Sequence, residues 1–485
     1  ASGGSGRGGS ILVSADGADS HIDLGAVSVA AIGTGGNGGG RDFVDTSARL
    51  TQSLGGDGGI GRGGTIEFFA DNLGSLTASS ISANAGGQGG NGAAGFGYDA
   101  NGNGTSGADG GDAFGGEVRI GAAFDGFADF AAAASIDVVA GALGGAGGDG
   151  IAAFADSGGN GGNGGAGGNA SGGFVGIAGL TDGRIMLALT GTTSLAANAT
   201  GGLGGRGGAG ASTTALQTRG GNAGSAGAGG GGTGGAIALS SQGAEIVAGT
   251  LDVEARGISS INYTFANPGT GPAGSGNSPF VSYSAPSGGS VTFLSADSGS
   301  SLGTFVVGQT RADVTAEVAY NSNGNSFSIR DVPGRISVRN ESSVTADGLR
   351  FAGFTGLASI GYGLGGETGI SVQAISGPVM IDGDLVLEAS SPIVLEMATG
   401  ADITVGNLAS IAAAGGLSVV GTGTGKLSAN EVAISSFAGI TVSNSDCPDT
   451  ACTVVTALSN LRFDASSDIQ LVGSSIVEGV GALDV

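Results

Sequence analysis

The chain has no tryptophan, one histidine (His21), one lysine (Lys426), two cysteines and three methionines in 485 residues. Each scarcity removes a class of chemistry. Serine and cysteine hydrolases pair their nucleophile with a base. The one imidazole, His21, lies beside the apolar run HIDLG and reads as a strand residue near a turn. Hydrolytic metal sites draw on His and Cys, which are too few. Basic groups are also scarce: 16 Lys+Arg stand against 40 Asp+Glu, for a net charge of −24. Nucleic acid and anionic membrane surfaces, which require basic patches, are therefore not expected partners. No apolar run approaches the ~20 residues of a membrane-spanning helix, so membrane insertion is not expected either. No signal peptide is recognisable, and the opening in ASGGSGRGGS reads as an internal or processed segment of something longer.

Cys447 and Cys452 lie in SDCPDTACT, around a Pro-Asp turn, with no other thiol in the chain. That arrangement suggests a local disulfide in an oxidising compartment. Two reduced thiols are the alternative, since so short a loop gains little from closure.

What the chain has is glycine, 109 residues of it, about three times the usual ~7%. Glycine freezes at high entropic cost and buries nothing. Yet 40% of residues are hydrophobic and mean hydropathy is positive, whereas disordered chains lack apolar residues. The two signals agree if apolar segments that fold are joined by glycine tracts.

The tracts and segments recur. A Gly-Gly pair directly precedes a strand-like run at Gly8-Gly9 (SILVSA), Gly63-Gly64 (TIEFFA), Gly115-Gly116 (EVRIGA), Gly172-Gly173 (FVGIAG), Gly234-Gly235 (AIALSS) and Gly288-Gly289 (SVTFLS), at spacings of 55, 52, 57, 62 and 54 residues. Each unit holds three short apolar runs: Ile11–Ala15, His21–Leu24 and Val27–Ile32 in the first, Val118–Ala122, Phe127–Ala131 and Ile136–Ala140 in the third. The runs alternate apolar with small or polar residues and favour Val, Ile, Phe and Thr, which argues for strands. Only Ala131–Ala134 hints at a helix. Three short strands per repeat predict an all-β chain, a right-handed parallel β-helix (solenoid) in which each coil buries its apolar face against the next.

The tracts carry a three-residue period, clearest in SGGNGGNGGAGGNASGG at Ser157–Gly173. That is the period of a polyproline-II-type helix, which glycine adopts freely. Stacked coils deliver successive tracts side by side. Tracts near 33–63, 85–115, 141–173, 199–235 and 257–288 are therefore expected to form a polyglycine-II bundle along one flank; flexible loops are the alternative. The last of these differs, with Tyr263, Phe265, Phe280, Tyr283 and four prolines, Pro268, Pro272, Pro279 and Pro286. Of the glycines, 82 precede residue 289. Two regions follow: residues 1–288, coils with long glycine insertions, and 289–485, continuing coils with short turns.

Candidate sites are sparse. Asp382, Asp384 and Glu388, in MIDGDLVLEAS, are the carboxylates that a polysaccharide-cleaving β-helix could use, the two Asp pointing to one face; DGD is equally a common turn. GGDGG at 55–59 and GGAGGDG at 144–150 resemble calcium-binding β-roll repeats but do not recur at nine residues. Asp42, Asp45, Asp57, Asp99, Asp109, Asp112 and Asp149 read as solubilising loop charge; no cofactor is expected beyond weak calcium binding by oxygen-rich loops. Asn160, Asn163 and Asn169, set between glycines, could form a hydrogen-bonding lattice of the kind that binds ice or crystalline polysaccharide.

The G-G-x-[IV]-x-[LF]-x-A starts, the three-run coils, the scarcity of Lys and Cys and the lack of catalytic groups resemble the shaft of filamentous-haemagglutinin-like large bacterial exoproteins, adhesins secreted across the outer membrane. The glycine tracts depart from those shafts. They look more like the polyglycine-II bundles of some phage tail adhesins and insect antifreeze proteins, and like the GGAGGNGG repeats of mycobacterial surface proteins. The resemblance implies a non-enzymatic, extracellular or cell-surface shaft for attachment or biofilm. Its expected partners are a glycan or protein of a cell surface, or copies of itself. A self-assembling filament subunit and a carbohydrate-active β-helix enzyme are the competing expectations.

Overall fold

The computed structural model describes residues 1–40, 55–99, 101–155, 157–211, 221–262, 284, 286–296, 303–314, 316–322, 325–331, 335–340, 343–352, 369–374, 379–381, 384–389, 392–447, 452–473, 475–479 and 483–484. Between residues 261 and 390 many strands are described by backbone alone. Over this extent the chain is all-β, with parallel sheets and no helix. Ala131–Ala134, the one helical hint, forms a turn.

The strand that follows each Gly-Gly pair sets the register. Ser10–Asp16, Thr65–Asp71, Glu117–Ala123, Phe174–Leu180, Ala236–Gln242 and Ser290–Ala296 lie side by side, each parallel and residue for residue with the next. The sheet runs on through Arg335–Asn340, Gly369–Ala374, Ile393–Met397, Gly416–Thr422 and Gly439–Ser445 to Asp468–Gly473, 12 strands in all. The repeat shortens along it, as the partners Ser10↔Thr65 early and Ile370↔Ile393 or Leu417↔Ile440 late make plain.

The second and third runs form a further sheet. They are separate strands at first, His21–Asp23 and Ala26–Ala30 stacking on Ser75–Thr77 and Ser80–Asn84. In the fourth and fifth repeats they fuse, as Arg184–Ala196 and Glu245–Glu254, and further along Val379–Ile381 and Leu385–Ala389 are again separate strands. Alternation decides which side chains go inside. In Thr65–Asp71 every second residue, Ile66, Phe68 and Ala70, is wholly buried. Above them lie Val118 and Ile120, then Val175 and Ile177, then Ile237 and Leu239, all buried. One continuous core results, to which no repeat contributes a complete interior by itself. The first turn of successive repeats holds paired left-handed residues, Asn72 and Leu73, Phe124 and Asp125, Thr181 and Asp182.

The core column has two polar intrusions. Thr193 and Thr310 occupy places held by Ile81, Ile136 and Leu251 in neighbouring repeats. Both are fully buried, and their hydroxyls have no hydrogen-bond partner.

One feature departs from the parallel expectation. Ala316–Ser322 pairs parallel with Gly257–Asn262 but antiparallel with Asn325–Asp331. This hairpin ends the seven-stranded sheet that begins at Gly33–Thr34. The sequence between its strands carries Asn-Gly, a dipeptide that favours tight hairpins and whose signal went unused.

Candidate functional site

Over their described residues the glycine tracts form hydrogen-bonded arms. The described arms lead away from the core and back to it in two stacks; residues 41–54, 212–220 and most of the tract near 257–288 lie outside the described residues. The outward arms begin at Gly33–Thr34, Gly87–Gln88, Ala142–Leu143 and Ala199–Thr200, paired in parallel. The returning arms end at Gly6–Arg7, Gly61–Arg62, Ala113–Phe114, Ala170–Ser171 and Gly232–Thr233, likewise paired.

A three-residue period gives each arm three faces, and each face has its own bonding. One glycine face joins the two stacks. Gly59 N–H donates to Gly36 O, and the relay continues from Gly90 to Gly59, Gly111 to Gly90, Gly145 to Gly111, Gly168 to Gly145, Gly202 to Gly168 and Gly230 to Gly202, at 2.7–2.9 Å. The partners alternate between outward and returning arms. Apart from Gly36 at the exposed end, these glycines are buried, and a methyl group has no room on them: a Cβ on Gly111 would sit 2.0 Å from Gly59 O, one on Gly145 1.9 Å from Gly90 O. Ala93 and Ala108 occupy the same seam one turn further out, Ala108 N–H donating to Ala93 O at 2.9 Å. The second face bonds along the stack: Gly58, Gly107 and Gly164 donate to the carbonyls of Asp109, Asn163 and Ser225.

The third face carries the residue that interrupts the glycines, and its side chain completes a clamp. Asn160 Oδ1 accepts the N–H of Asn222 at 2.9 Å, while Gly161 N–H donates to Asn222 O at 2.9 Å. One residue of the next repeat is thus held at both its amide and its carbonyl. Asn163 and Gly164 hold Ser225 in the same way, Asn37 and Gly38 hold Asn91, Asn91 and Gly92 hold Ala146, and Asn103 and Gly104 hold Asn160. Asn169 accepts from Gly231 N–H. Backbone amides on an outward-turned face have no backbone acceptor within reach, and a short side-chain oxygen one repeat earlier supplies it.

The same geometry corrects the reading of the acidic residues. Asp57, Asp109, Asp112 and Asp149 do not lie in loops; they stand on the ordered arms, and each accepts a backbone N–H of the next repeat, from Asp109, Ala166, Asn169 and Arg206 at 3.2, 2.7, 2.8 and 2.7 Å. Asp99 is in a loop between arms, where its carboxylate accepts from the amides of Asn101 and Asn103 and from the Asn103 side chain. Those bonds, the Asn103 side chain first, hold its pKa below the ordinary carboxylate value. Asp42 and Asp45 lie outside the described residues.

The remaining candidates are dispersed. His21 is exposed and its Nδ1 bonds Ser75 Oγ of the next repeat at 2.5 Å. Asp384 is exposed, and its Oδ1 accepts from Leu408 N–H at 3.2 Å. Asp382 and the side chain of Glu388 lie outside the described residues, as do Tyr263, Phe265, Phe280 and Tyr283. Among the described residues no three His, Cys, Asp or Glu side chains come together to hold a metal ion, and no helix is long and apolar enough to cross a membrane. Cys447 and Cys452 are joined by a disulfide.

Sequence reasoning missed one polar group. Asp252 lies on a strand beside Glu254, with Arg311 and Asp313 in the next repeat, and its Oδ1 is buried without a partner. Burial first, then the like charges Glu254 and Asp313, raise its pKa, against the attraction of Arg311. The carboxylate-rich tail of the third run, LDVE at 251–254 followed by RAD at 311–313, was the available signal.

The fold and flank together define an all-β protein of stacked parallel repeats with hydrogen-bonded glycine arms. Searches against known protein families, curated proteins and solved structures find no match for the chain.

Proposed function

We propose that this chain is a structural segment of an extracellular or bacterial cell-surface adhesin, a rigid shaft that holds attachment elements away from the cell. In this reading the stacked repeats are a right-handed parallel β-helix, and the glycine arms are a polyglycine-II bundle that stiffens one flank. The observation that carries the reading is how the flank spends its polar groups. The Asn and Asp side chains, the groups most suited to catalysis or ion binding, are engaged in holding the next repeat. A surface built this way serves rigidity and length. At ~4.8 Å per stacked strand, the twelve paired strands give a rod of about 55 Å.

The partners in this reading are a surface glycan or protein, and the disulfide fits an oxidising compartment. The chain acts without a cofactor, binds no nucleic acid and does not enter the membrane. Small-angle scattering tests it: a rod-like particle without turnover of uronate polymers is expected. A globular scattering profile, or polysaccharide cleavage abolished by Asp384→Ala, refutes it.

A self-assembling filament subunit is the competing reading. Negative-stain microscopy at rising concentration separates the readings, because a permanently monomeric rod excludes the filament.

A further inference from the structure

Asn-Gly is the dipeptide most prone to spontaneous deamidation. The amide nitrogen of the glycine attacks Cγ of the asparagine, ammonia leaves, and a cyclic succinimide forms. Water then opens the ring to aspartate or isoaspartate, so the net change is gain of water and loss of ammonia. Glycine favours the attack because it has no side chain to obstruct ring closure. A chain whose tracts are written as Gly-Gly-Asn-Gly-Gly carries this liability repeatedly, at Asn37, Asn91, Asn101, Asn103, Asn160 and Asn163 among the described residues.

The clamp restrains both reacting groups. At Asn160 the carboxamide oxygen is fixed by Asn222 N–H, and the nucleophile, Gly161 N–H, is fixed on Asn222 O. To cyclise, the glycine nitrogen must leave its carbonyl and the carboxamide must rotate off its donor, both against the same residue of the next repeat. Asn37, Asn91, Asn103 and Asn163 are restrained identically, by Asn91, Ala146, Asn160 and Ser225.

Asn101 differs. It is exposed, it lies in the loop between an outward and a returning arm, and its carboxamide makes no hydrogen bond to any described residue. Its backbone N–H donates to Asp99 Oδ1, and Gly102, at φ +77°, donates to Asp99 O. Only the nucleophile is held there, within a single turn; the electrophile is free.

We propose that, among the described Asn-Gly pairs, Asn101 is the site of deamidation, and that the clamps of the glycine flank protect Asn37, Asn91, Asn103, Asn160 and Asn163. The product places a new carboxylate two residues from Asp99, in the loop at the end of the arms. The flank is then a lattice whose chemical lifetime depends on its folding, since opening of the arms exposes the five clamped pairs at once.

The experiment is incubation of the whole folded chain at pH 8.5 and 37 °C, with peptide mass spectrometry following the gain of 1 Da at each asparagine. A parallel sample in urea reports the unfolded chain. In the folded sample Asn101 is expected to convert at least about tenfold faster than Asn37, Asn91, Asn103, Asn160 or Asn163, as local protection of bonded segments implies. In urea the six rates should converge. Asn101→Gln should leave the glycine flank, Asn37, Asn91, Asn103, Asn160 and Asn163, with no early deamidation in the folded protein. Conversion at Asn160 or Asn163 as fast as at Asn101 in the folded chain overturns the protection. A slow Asn101 in the folded chain with convergence in urea overturns the site.

Discussion

A methyl group at Gly111 tests the architecture of the flank most directly. Gly111 N–H donates to Gly90 O at 2.7 Å, and Gly111 O accepts from Gly145 N–H at 2.9 Å. In Gly111→Ala the new Cβ would lie 2.0 Å from Gly59 O and 2.7 Å from Gly59 C. A carbon and a carbonyl oxygen need roughly 3.2 Å, so the arms must separate by over about 1 Å, which overpacking studies put at 1–3 kcal/mol. Separation on that scale breaks both seam bonds, at about 1 kcal/mol each. The expected loss is therefore about 3–5 kcal/mol of local stability. Gly9→Ala is the control: nothing lies within 4 Å of its Cβ, and the substitution should be neutral or stabilise by up to ~1 kcal/mol. Hydrogen exchange read by mass spectrometry is the assay, followed at the amides of Gly90, Gly111, Gly145 and Gly168. Protection should fall across these in Gly111→Ala and persist in Gly9→Ala. If Gly111→Ala keeps its protection and its thermal midpoint within the range of Gly9→Ala, the glycines are not excluded from substitution by close packing. The seam alanines Ala93 and Ala108 make this a real contest, because the bundle accepts methyl groups at some turns.

Three further outcomes are expected. Asp109→Ala removes the acceptor for Ala166 N–H; the bond is exposed, so about 0.5–1 kcal/mol is lost, and exchange at Ala166 should accelerate while the core strands stay protected. Thr193→Val replaces a fully buried, unpartnered hydroxyl with a methyl among apolar neighbours, and should stabilise by about 1–2 kcal/mol in urea unfolding; a destabilised variant contradicts the burial. Asp252 has a raised pKa in the folded chain, chiefly from burial. Its contribution to stability is therefore fully present below the unfolded carboxylate pKa and is lost as pH rises through the folded value. Asp252→Asn should raise the thermal midpoint at pH 7 and leave it little changed at pH 3, checked by thermal melts at both; an equal effect at both pH values rejects the assignment.

The strands of the core were legible because their evidence is local. Ile66, Phe68 and Ala70 alternate with polar residues, and Gly-Gly marks each start, so strand type, repeat length and inward face can be read directly along the chain. The asparagine lattice was legible as an arrangement but not as a role. Asn160 and Asn222 are 62 residues apart in sequence, and only stacking reveals that the first satisfies the amide of the second. For the same reason Asp57, Asp109 and Asp149 read as loose surface charge until the arms above them are seen. The hairpin at Ala316–Ser322 and Asn325–Asp331 was written in its Asn-Gly, a signal outweighed by the parallel pattern on either side.

The sequence by itself determined the periodicity: apolar residues at every second place in the strands, glycine at two of every three in the tracts. These follow from the pleat and from a three-residue turn, which neighbouring residues alone specify. Only the tertiary structure decided which glycines must be glycine and which asparagines are clamped. The glycine contacts come from the facing arm of the same tract or from a neighbouring repeat, and the asparagine clamps reach across repeats more than fifty residues apart.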